Sequence, residues 1–250
     1  MKKLVLSSIV VEVTRRCNMC CAHCMRGDAQ NADLDVDRLR VFLKDVAAIG
    51  SITFTGGEPT LNVQAIMDTL NICREYGISV NSFYVVTNGK TIPNEFLTAM
   101  IEWYAYCVDC YGEPDYCGVA LSQDIYHDDI LSENVAKLRA LSFFRPDDKK
   151  TRDWGRYAML NLGRARELNG NINKREPSPT RDYEMSELVQ SFENEIDVSD
   201  VTLAFTVNGD ILADCDYEYS STDDIKLCSY DNALRYFEEV AKEAELDGRC

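Results

Sequence analysis

Residues 17–24 read Cys17-Asn18-Met19-Cys20-Cys21-Ala22-His23-Cys24 and hold four of the chain's 11 cysteines. Such crowding does not easily form a disulfide framework in a chain of 250 residues, and clustered thiols more often bind metal. Cys17, Cys21 and Cys24 form the spacing CxxxCxxC. Thiolates are soft ligands that suit iron–sulfur clusters, and a structural four-iron cluster normally takes four of them. A set of three leaves one iron with an open coordination position, which is what catalysis needs.

Around this loop, segments with strand character and segments with helix character alternate four times. Runs rich in Val and Ile predict strands, and apolar residues at helical spacing predict helices. The predicted strands cover residues 6–13, 51–55, 80–86 and 118–122, and the predicted helices cover residues 36–49, 61–76, 95–106 and 130–141. This rhythm predicts βαβ units and an α/β fold with a parallel sheet. Because the chain is short for the eight units of a full barrel, we expect an incomplete one.

The alternation weakens towards the C-terminus. The later signals are a strand at 157–162, a linker at 169–181, a hairpin with strands at 201–207 and 210–214, and a helix at 232–246. Asn208-Gly209 between two apolar runs is a strong hairpin signal. We therefore expect a core over residues 1–200 and a C-terminal extension over 201–250, made of a β-hairpin and a helix packed on the core.

A second motif, Gly56-Gly57-Glu58-Pro59, directly follows the second predicted strand. Two glycines allow a backbone to approach a ligand closely, and a carboxylate accepts hydrogen bonds from an ammonium group. Pro59 stiffens the turn. By itself the motif is also compatible with an ordinary turn.

The two motifs together, one βα unit apart, resemble the signature of the radical S-adenosylmethionine (SAM) superfamily, and residues 6–141 carry that family's order of motifs. The resemblance implies a partial (β/α)6 TIM-like barrel with a short C-terminal extension. It implies a 4Fe–4S cluster held by Cys17, Cys21 and Cys24, with Cys20 as a bystander. It further implies that Gly56 to Pro59 hold the amino group of SAM. Such enzymes cleave SAM reductively to a 5′-deoxyadenosyl radical, which abstracts hydrogen from the substrate.

The resemblance also suggests cofactor contacts beyond the two motifs. His23 occupies the position where the family has an aromatic residue near the adenine, although packing is an equal alternative. Ser122 and Asp124 follow the fourth predicted strand, where polar residues lie near the ribose and carboxylate of SAM. Asn88, in Thr87-Asn88-Gly89, ends the third strand but is also a common turn residue. Arg164, in Gly163-Arg164-Ala165, binds a carboxylate in one interpretation and begins a surface helix in the other.

The remaining titratable candidates have weaker signals. His127 is either a proton donor near the substrate or an exposed loop residue. Cys107, Cys110 and Cys117 are expected in a loop before the fourth strand, as a zinc or cluster site or as ordinary reduced thiols. Cys215 and Cys228 near the predicted hairpin are too few for an auxiliary-cluster domain.

Charge and hydropathy restrict the partners. The net charge of -16 disfavours broad contact with nucleic acid or anionic lipid. No apolar run approaches the roughly 20 residues that span a bilayer, and Glu12 interrupts the only segment that resembles a targeting signal, so a cytoplasmic location is expected.

The substrate itself is not readable from the sequence. The expected partners are a small-molecule or peptide substrate and an electron donor such as flavodoxin or ferredoxin. Peptide maturation and activation of a glycyl-radical enzyme are alternatives within the same chemistry. A zinc-binding structural or interaction module, built from the N-terminal cysteines and His23, is the alternative outside enzymes.

Overall fold

The structure is a computed structural model and describes residues 2–112, 116–145, 158–170, 172–177 and 185–246. Its strands are β1 (Lys3–Thr14), β2 (Val46–Gly56), β3 (Ser79–Thr87), β4 (Gly118–Leu121), β5 (Phe144–Arg145), β6 (Met159–Leu160), β7 (Lys174–Arg175), β8 (Val189–Ser191), β9 (Glu195–Phe205), β10 (Asp210–Leu212) and β11 (Lys226–Ser229). Its helices are α1 (Val36–Leu43), α2 (Val63–Tyr76), α3 (Asn94–Tyr111), α4 (Ser132–Arg139) and α5 (Ala233–Leu246).

The main sheet has the strand order β11-β10-β9-β1-β2-β3-β4-β5, and β8 pairs with β9 outside this path. β1 to β5 are parallel to their neighbours, and β9 pairs in parallel with the other edge of β1. The predicted α/β fold with a parallel sheet is thereby confirmed. Because parallel strands end at the same edge of a sheet, the loops after β1 to β4 gather at one end of the molecule.

The core lies between the sheet and the helices that follow its strands. Trp103 of α3 is fully buried and packs on Phe54 of β2 and Phe83 of β3, with ring centroids 5.1 and 6.3 Å away. Its indole N–H donates to the backbone oxygen of Ile66 in α2 at 3.1 Å. Buried aromatic rings carry much of the apolar area of a core, so this cluster ties two helices to the sheet.

Two predicted boundaries are wrong. The first helix ends at Leu43, and residues 46–49 belong to β2, since Val46 and Ile49 pair with Leu4 and Leu6 of β1. These apolar residues fit helical spacing locally, but pairing with the long β1 overrides that preference. The third helix continues to Tyr111, five residues past the predicted end at Tyr106.

The C-terminal segments extend the main sheet. β9 and β10 form the predicted hairpin around Asn208-Gly209, where Gly209 has φ +82°. The expected division between residues 200 and 201 falls inside β9, which pairs directly with β1. Of the predicted strand at 157–162, β6 is seen, and Tyr157 lies outside the described residues. The predicted linker at 169–181 contains β7, which forms a two-stranded parallel sheet with β6; its residues 171 and 178–181 also lie outside.

None of the helices among the described residues combines the length and apolar character needed to cross a membrane.

Candidate active site

A cavity of about 530 Å³ lies at the carboxyl ends of β1 to β4. It is lined by all three cysteines of the CxxxCxxC pattern, whereas Cys20 is exposed and does not line it. The other predicted site residues that line it are His23, Gly56, Gly57, Glu58, Pro59, Asn88, Ser122 and the candidate proton donor His127. The fold thus brings together most of the residues that the sequence singled out, from four separate loops.

Gly56 and Gly57 join the second motif to the cysteine loop. The N–H of Gly57 donates to the oxygen of Thr14, and the N–H of Glu58 donates to that of Arg16, both at 2.8 Å. A Cβ atom on Gly57 would lie 2.2 Å from the Arg16 oxygen, and one on Gly56 would lie 2.0 Å from the Thr14 oxygen. The close approach that requires glycine is therefore to the chain's own backbone, in addition to any approach to a ligand.

Glu58 is almost completely buried and accepts hydrogen bonds on both carboxylate oxygens. Oε1 accepts from the Thr60 N–H at 3.1 Å and from the hydroxyls of Thr60 and Thr87, each at 2.7 Å. Oε2 accepts from the Asn88 N–H at 2.8 Å. Burial raises the pKa of Glu58, and the donors of Asn88, Thr87 and Thr60 oppose that rise. Among the described residues, Oε2 has one donor, so it retains a lone pair for a further donor.

The three thiols lie close enough to influence one another. Burial, and then the charges of Cys17 and Cys24, raise the pKa of Cys21 to about 12. Burial is also the main cause that raises the pKa of Cys17, with smaller contributions from Glu58 and Cys24. Three thiolates that line one cavity repel one another unless a cation neutralises them. The donor set therefore matches a metal centre that supplies this positive charge.

Asn88 and Arg164 hold the cysteine loop from two sides. The Asn88 amide nitrogen lies 3.9 Å from Cys17 Sγ and donates to Asn18 Oδ1 at 2.9 Å. Arg164 donates through Nε to the Cys21 backbone oxygen at 3.0 Å and through a terminal nitrogen to Asp28 at 2.8 Å. Arg164 does not line the cavity, and its direct contact with a cofactor stays a prediction.

His23 and the loop after β4 form a partly buried hydrogen-bonded chain. The two oxygens of Asp124 lie 3.2 Å from His23 Nε2 and 2.7 Å from His127 Nδ1, and His127 Nε2 lies 3.3 Å from Ser122 Oγ. The Asp124 N–H also lies 3.2 Å from His127 Nδ1, but a protonated Nδ1 fits the closer carboxylate oxygen better. Although burial raises it, the pKa of Asp124 is lowered overall by the His127 hydrogen bond and the charge of His23. Asp124 therefore lies behind the cavity wall, in contact with the two histidines that line it.

The family assignment follows from comparison with known proteins. Residues 11–109 match the family model of the radical SAM superfamily, and this segment contains the cysteine loop and the glycine-rich turn. Residues 11–109 are a radical SAM domain.

The chain is also similar to proteins of known sequence and to solved structures. An uncharacterized protein of Methanocaldococcus jannaschii is 27% identical over 100 residues, or 39% of this chain and 35% of the relative. Fe-coproporphyrin III synthase of Methanosarcina barkeri is 31% identical over 102 residues, or 38% of this chain and 24% of that enzyme. The matched segment thus spans about a third or less of these relatives. Native anSMEcpe with bound AdoMet and Kp18Cys peptide matches with a TM-score of 0.55 at 13% identity, covering 96% of this chain and 82% of the other, which is a likeness of fold.

The predicted site residues form one wall of the cavity, and residues outside that predicted set form the other. This second wall includes Val10, Arg26, Met159, Leu160, Arg175, Cys215 and Asp216. Arg26, two residues after Cys24, is buried. Apart from Arg26, which flanks the motif, the charged residues of this wall had no local signal.

Cys107, Cys110 and Cys117 do not line this cavity, whereas Cys215 does. Cys107 and Cys110 are on α3, and not in a loop as expected, because the helix continues past its predicted end. Cys107 and Cys117 are buried and hydrogen-bonded to each other, which raises the pKa of Cys107 and lowers that of Cys117. Among the described residues, the sulfur atoms of Cys107, Cys110 and Cys117 do not all lie within 4.8 Å of one another, as the ligands of a single metal ion would.

Proposed function

We propose that this chain is a radical SAM enzyme in which Cys17, Cys21 and Cys24 hold a 4Fe–4S cluster and Glu58 receives the amino group of SAM. The family uses this cluster and this cofactor. The observation that carries the proposal is that these three thiols, without Cys20, line the same cavity as Glu58. When bound, the cluster and SAM supply an electron and a 5′-deoxyadenosyl radical that abstracts hydrogen.

The residues of the chain bind and orient the cofactor. Glu58 is fixed by its four donors, so its remaining lone pair points in one direction without loss of side-chain entropy on binding. A charge-assisted hydrogen bond to an ammonium group contributes about 1.5–3 kcal/mol in such a buried position. Ser122 and His23 line the cavity nearby and are proposed contacts for the ribose, carboxylate or adenine.

The cavity also has a size that suits a bound cofactor. Its volume of about 530 Å³ lies within the usual range for cofactor sites, roughly 300–1,000 Å³. Val10, Val86, Met159 and Leu160 give part of the cavity an apolar surface, which limits the water beside a bound cofactor.

The substrate is proposed to be a small molecule or a peptide, and the electron donor a flavodoxin or ferredoxin. A peptide is bound by anSMEcpe, which shares the fold. A cytoplasmic location is proposed because reduced thiols suit a reducing compartment. Arg164 and Asp124 are proposed to position the cysteine loop and His23, respectively.

The test is anaerobic reconstitution with iron and sulfide, followed by reduction in the presence of SAM. Iron content and electron paramagnetic resonance of the reduced protein report the cluster, and release of 5′-deoxyadenosine reports cleavage. Cys17→Ala, Cys21→Ala and Cys24→Ala are expected to lose the cluster, whereas Cys20→Ala retains it. A Cys20→Ala protein without iron would refute the ligand set.

The zinc-module alternative predicts a different result. A closed tetrahedral site would give a colourless protein that binds zinc without affinity for SAM. The same reconstitution separates the two functions, because a zinc module gives neither the resonance signal nor 5′-deoxyadenosine.

A further inference from the structure

The second wall of the cavity contains a buried arginine with unused hydrogen-bond donors. Arg26 is 8% exposed, and its guanidinium lies 3.8 Å from the ring centroid of Tyr217. One terminal nitrogen donates to the Tyr217 backbone oxygen at 2.9 Å. Nε and the other terminal nitrogen donate to none of the described residues, although a guanidinium offers five N–H donors. Because Arg26 lines the cavity, these donors are available to a bound molecule.

Arg26 also lacks a direct ion pair with any described residue. Glu12 is the buried carboxylate that influences the charge of Arg26. Its Oε2 accepts from Arg15 at 3.1 Å and from the Val207 N–H at 3.0 Å, whereas its Oε1 makes no hydrogen bond to the described residues. Burial by itself disfavours the charged guanidinium, but Tyr217 and Glu12 raise the pKa of Arg26 overall, so a positive charge is retained in the wall of the cavity. The position is therefore suited to an anionic group that enters through the cavity.

Arg175 of β7 brings a second guanidinium to the same wall. Its terminal nitrogens contact Asp216 Oδ2 and the Glu176 backbone oxygen, each at 3.4 Å, which is long for such bonds. Its side chain is 45% exposed. Arg26, Arg175 and Asp216 all line the cavity. Burial raises the pKa of Asp216, and the positive charges of Arg175 and Arg26 oppose that rise. A ligand carboxylate can replace the long contact between Arg175 and Asp216 with a shorter one.

We propose that Arg26 and Arg175 form a subsite for a carboxylate of the substrate. Val10, Val86, Met159 and Leu160 line the same cavity, so the carboxylate is carried on an apolar arm. The inference rests on the proposed function and deepens it, because it restricts the substrate class to acids. It also assigns Arg26 and Arg175 to the substrate, and leaves the recognition of SAM to the residues of the opposite wall.

The test compares an acid with its uncharged amide. Equilibrium dialysis of radiolabelled hexanoate and hexanamide is performed with the reconstituted protein, with and without saturating SAM. We expect hexanoate to bind at least about tenfold more tightly than hexanamide, the usual effect of a charge-assisted pair. SAM should leave hexanoate binding unchanged. Equal binding of acid and amide overturns the subsite, and displacement of hexanoate by SAM assigns the carboxylate site to SAM instead.

Three variants make the test specific. Arg26→Gln should weaken hexanoate about tenfold and Arg175→Gln several-fold, whereas Arg235→Gln, whose side chain on α5 is 77% exposed, should have no effect. If Arg26→Gln fails to fold by circular dichroism, Arg26→Lys replaces it, and Arg175→Gln still decides. Unchanged binding in Arg175→Gln overturns the proposal. Failure of the proposed function is distinct, because the wild-type protein would then release no 5′-deoxyadenosine whatever its affinity for hexanoate.

Discussion

Replacing Gly57 by Ala should separate the cysteine loop from the glycine-rich turn. The new Cβ atom would lie 2.2 Å from the Arg16 oxygen and 2.9 Å from the Arg15 oxygen, both of them backbone atoms. Relief of this overlap needs a displacement of about 1 Å, which lengthens the two 2.8 Å hydrogen bonds from Gly57 and Glu58 beyond useful range. Two lost bonds at about 0.5–1.5 kcal/mol each, together with 1–3 kcal/mol of overpacking, predict a loss near 3 kcal/mol.

Thermal unfolding of the cluster-free protein, followed by circular dichroism, measures this loss. At about 2–4 °C per kcal/mol for a chain of this size, Gly57→Ala should lower Tm by about 6–12 °C. Gly77→Ala is the matched control, since Gly77 has φ +65° but its Cβ would meet no atom within 4 Å. Its cost is limited to the left-handed backbone, about 1–2 kcal/mol. If Gly57→Ala unfolds at the wild-type temperature, the close approach described between the two motifs is incorrect.

Three further variants probe the residues around this contact. Glu58→Gln should keep the iron content and weaken SAM binding about tenfold, as measured by dialysis of labelled SAM, because the charge that receives the ammonium is lost. Arg164→Ala should reduce the iron retained after reconstitution and gel filtration, because Cys21 loses a backbone anchor and the loop loosens. Asp124→Asn should remove a contribution to the free energy of unfolding that the wild-type protein loses at low pH. Because the folded-state pKa of Asp124 is lowered, its contribution is present above about pH 4 and is lost as the pH falls through the folded value, so urea midpoints at pH 6 and pH 2.5 should differ less in the variant than in the wild type.

Exposed residues of the same type provide the controls. Glu102→Gln and Asp129→Asn remove carboxylates from the surface and should leave SAM affinity and acid sensitivity at wild-type values. Arg166→Ala removes a neighbouring arginine that contacts Glu218 and not the cysteine loop. Wild-type iron retention in Arg164→Ala, or equal loss in Arg166→Ala, would contradict the anchoring role of Arg164.

The sequence predicted those parts of the fold that depend on residues close to one another in the chain. The cysteine spacing, the glycine-rich turn and the first four strand–helix alternations lie within residues 6–141, and each depends on neighbours close in the chain. The start of β2 was missed because Val46 and Ile49 satisfy helical spacing until the partner strand is known. Pattern alone cannot supply that partner, since pairing is a tertiary effect.

The second wall could not be predicted for the same reason. β9 pairs in parallel with β1, and the partners Leu4 and Ile196 are distant in the sequence without any motif that relates them. This pairing and the hairpin after it bring Asp216 to the cavity, while β6 and β7 bring Arg175. Arg26 lies two residues after Cys24, but only the packed structure reveals that its side chain is buried against Tyr217.

The two walls also differ in what holds them, and this difference has a consequence for specificity. Backbone hydrogen bonds from Gly57 and Glu58 fix the cysteine loop, so most side-chain changes there leave its path intact. The opposite wall includes Met159, Leu160 and Arg175, which lie on the two-residue strands β6 and β7. A substitution in that wall changes which molecule fits and leaves the thiols and Glu58 in place. Geometry that is fixed by backbone hydrogen bonds is insensitive to side-chain replacement. Substrate preference can therefore differ between chains that contain this domain, while the positions of the two motifs stay the same.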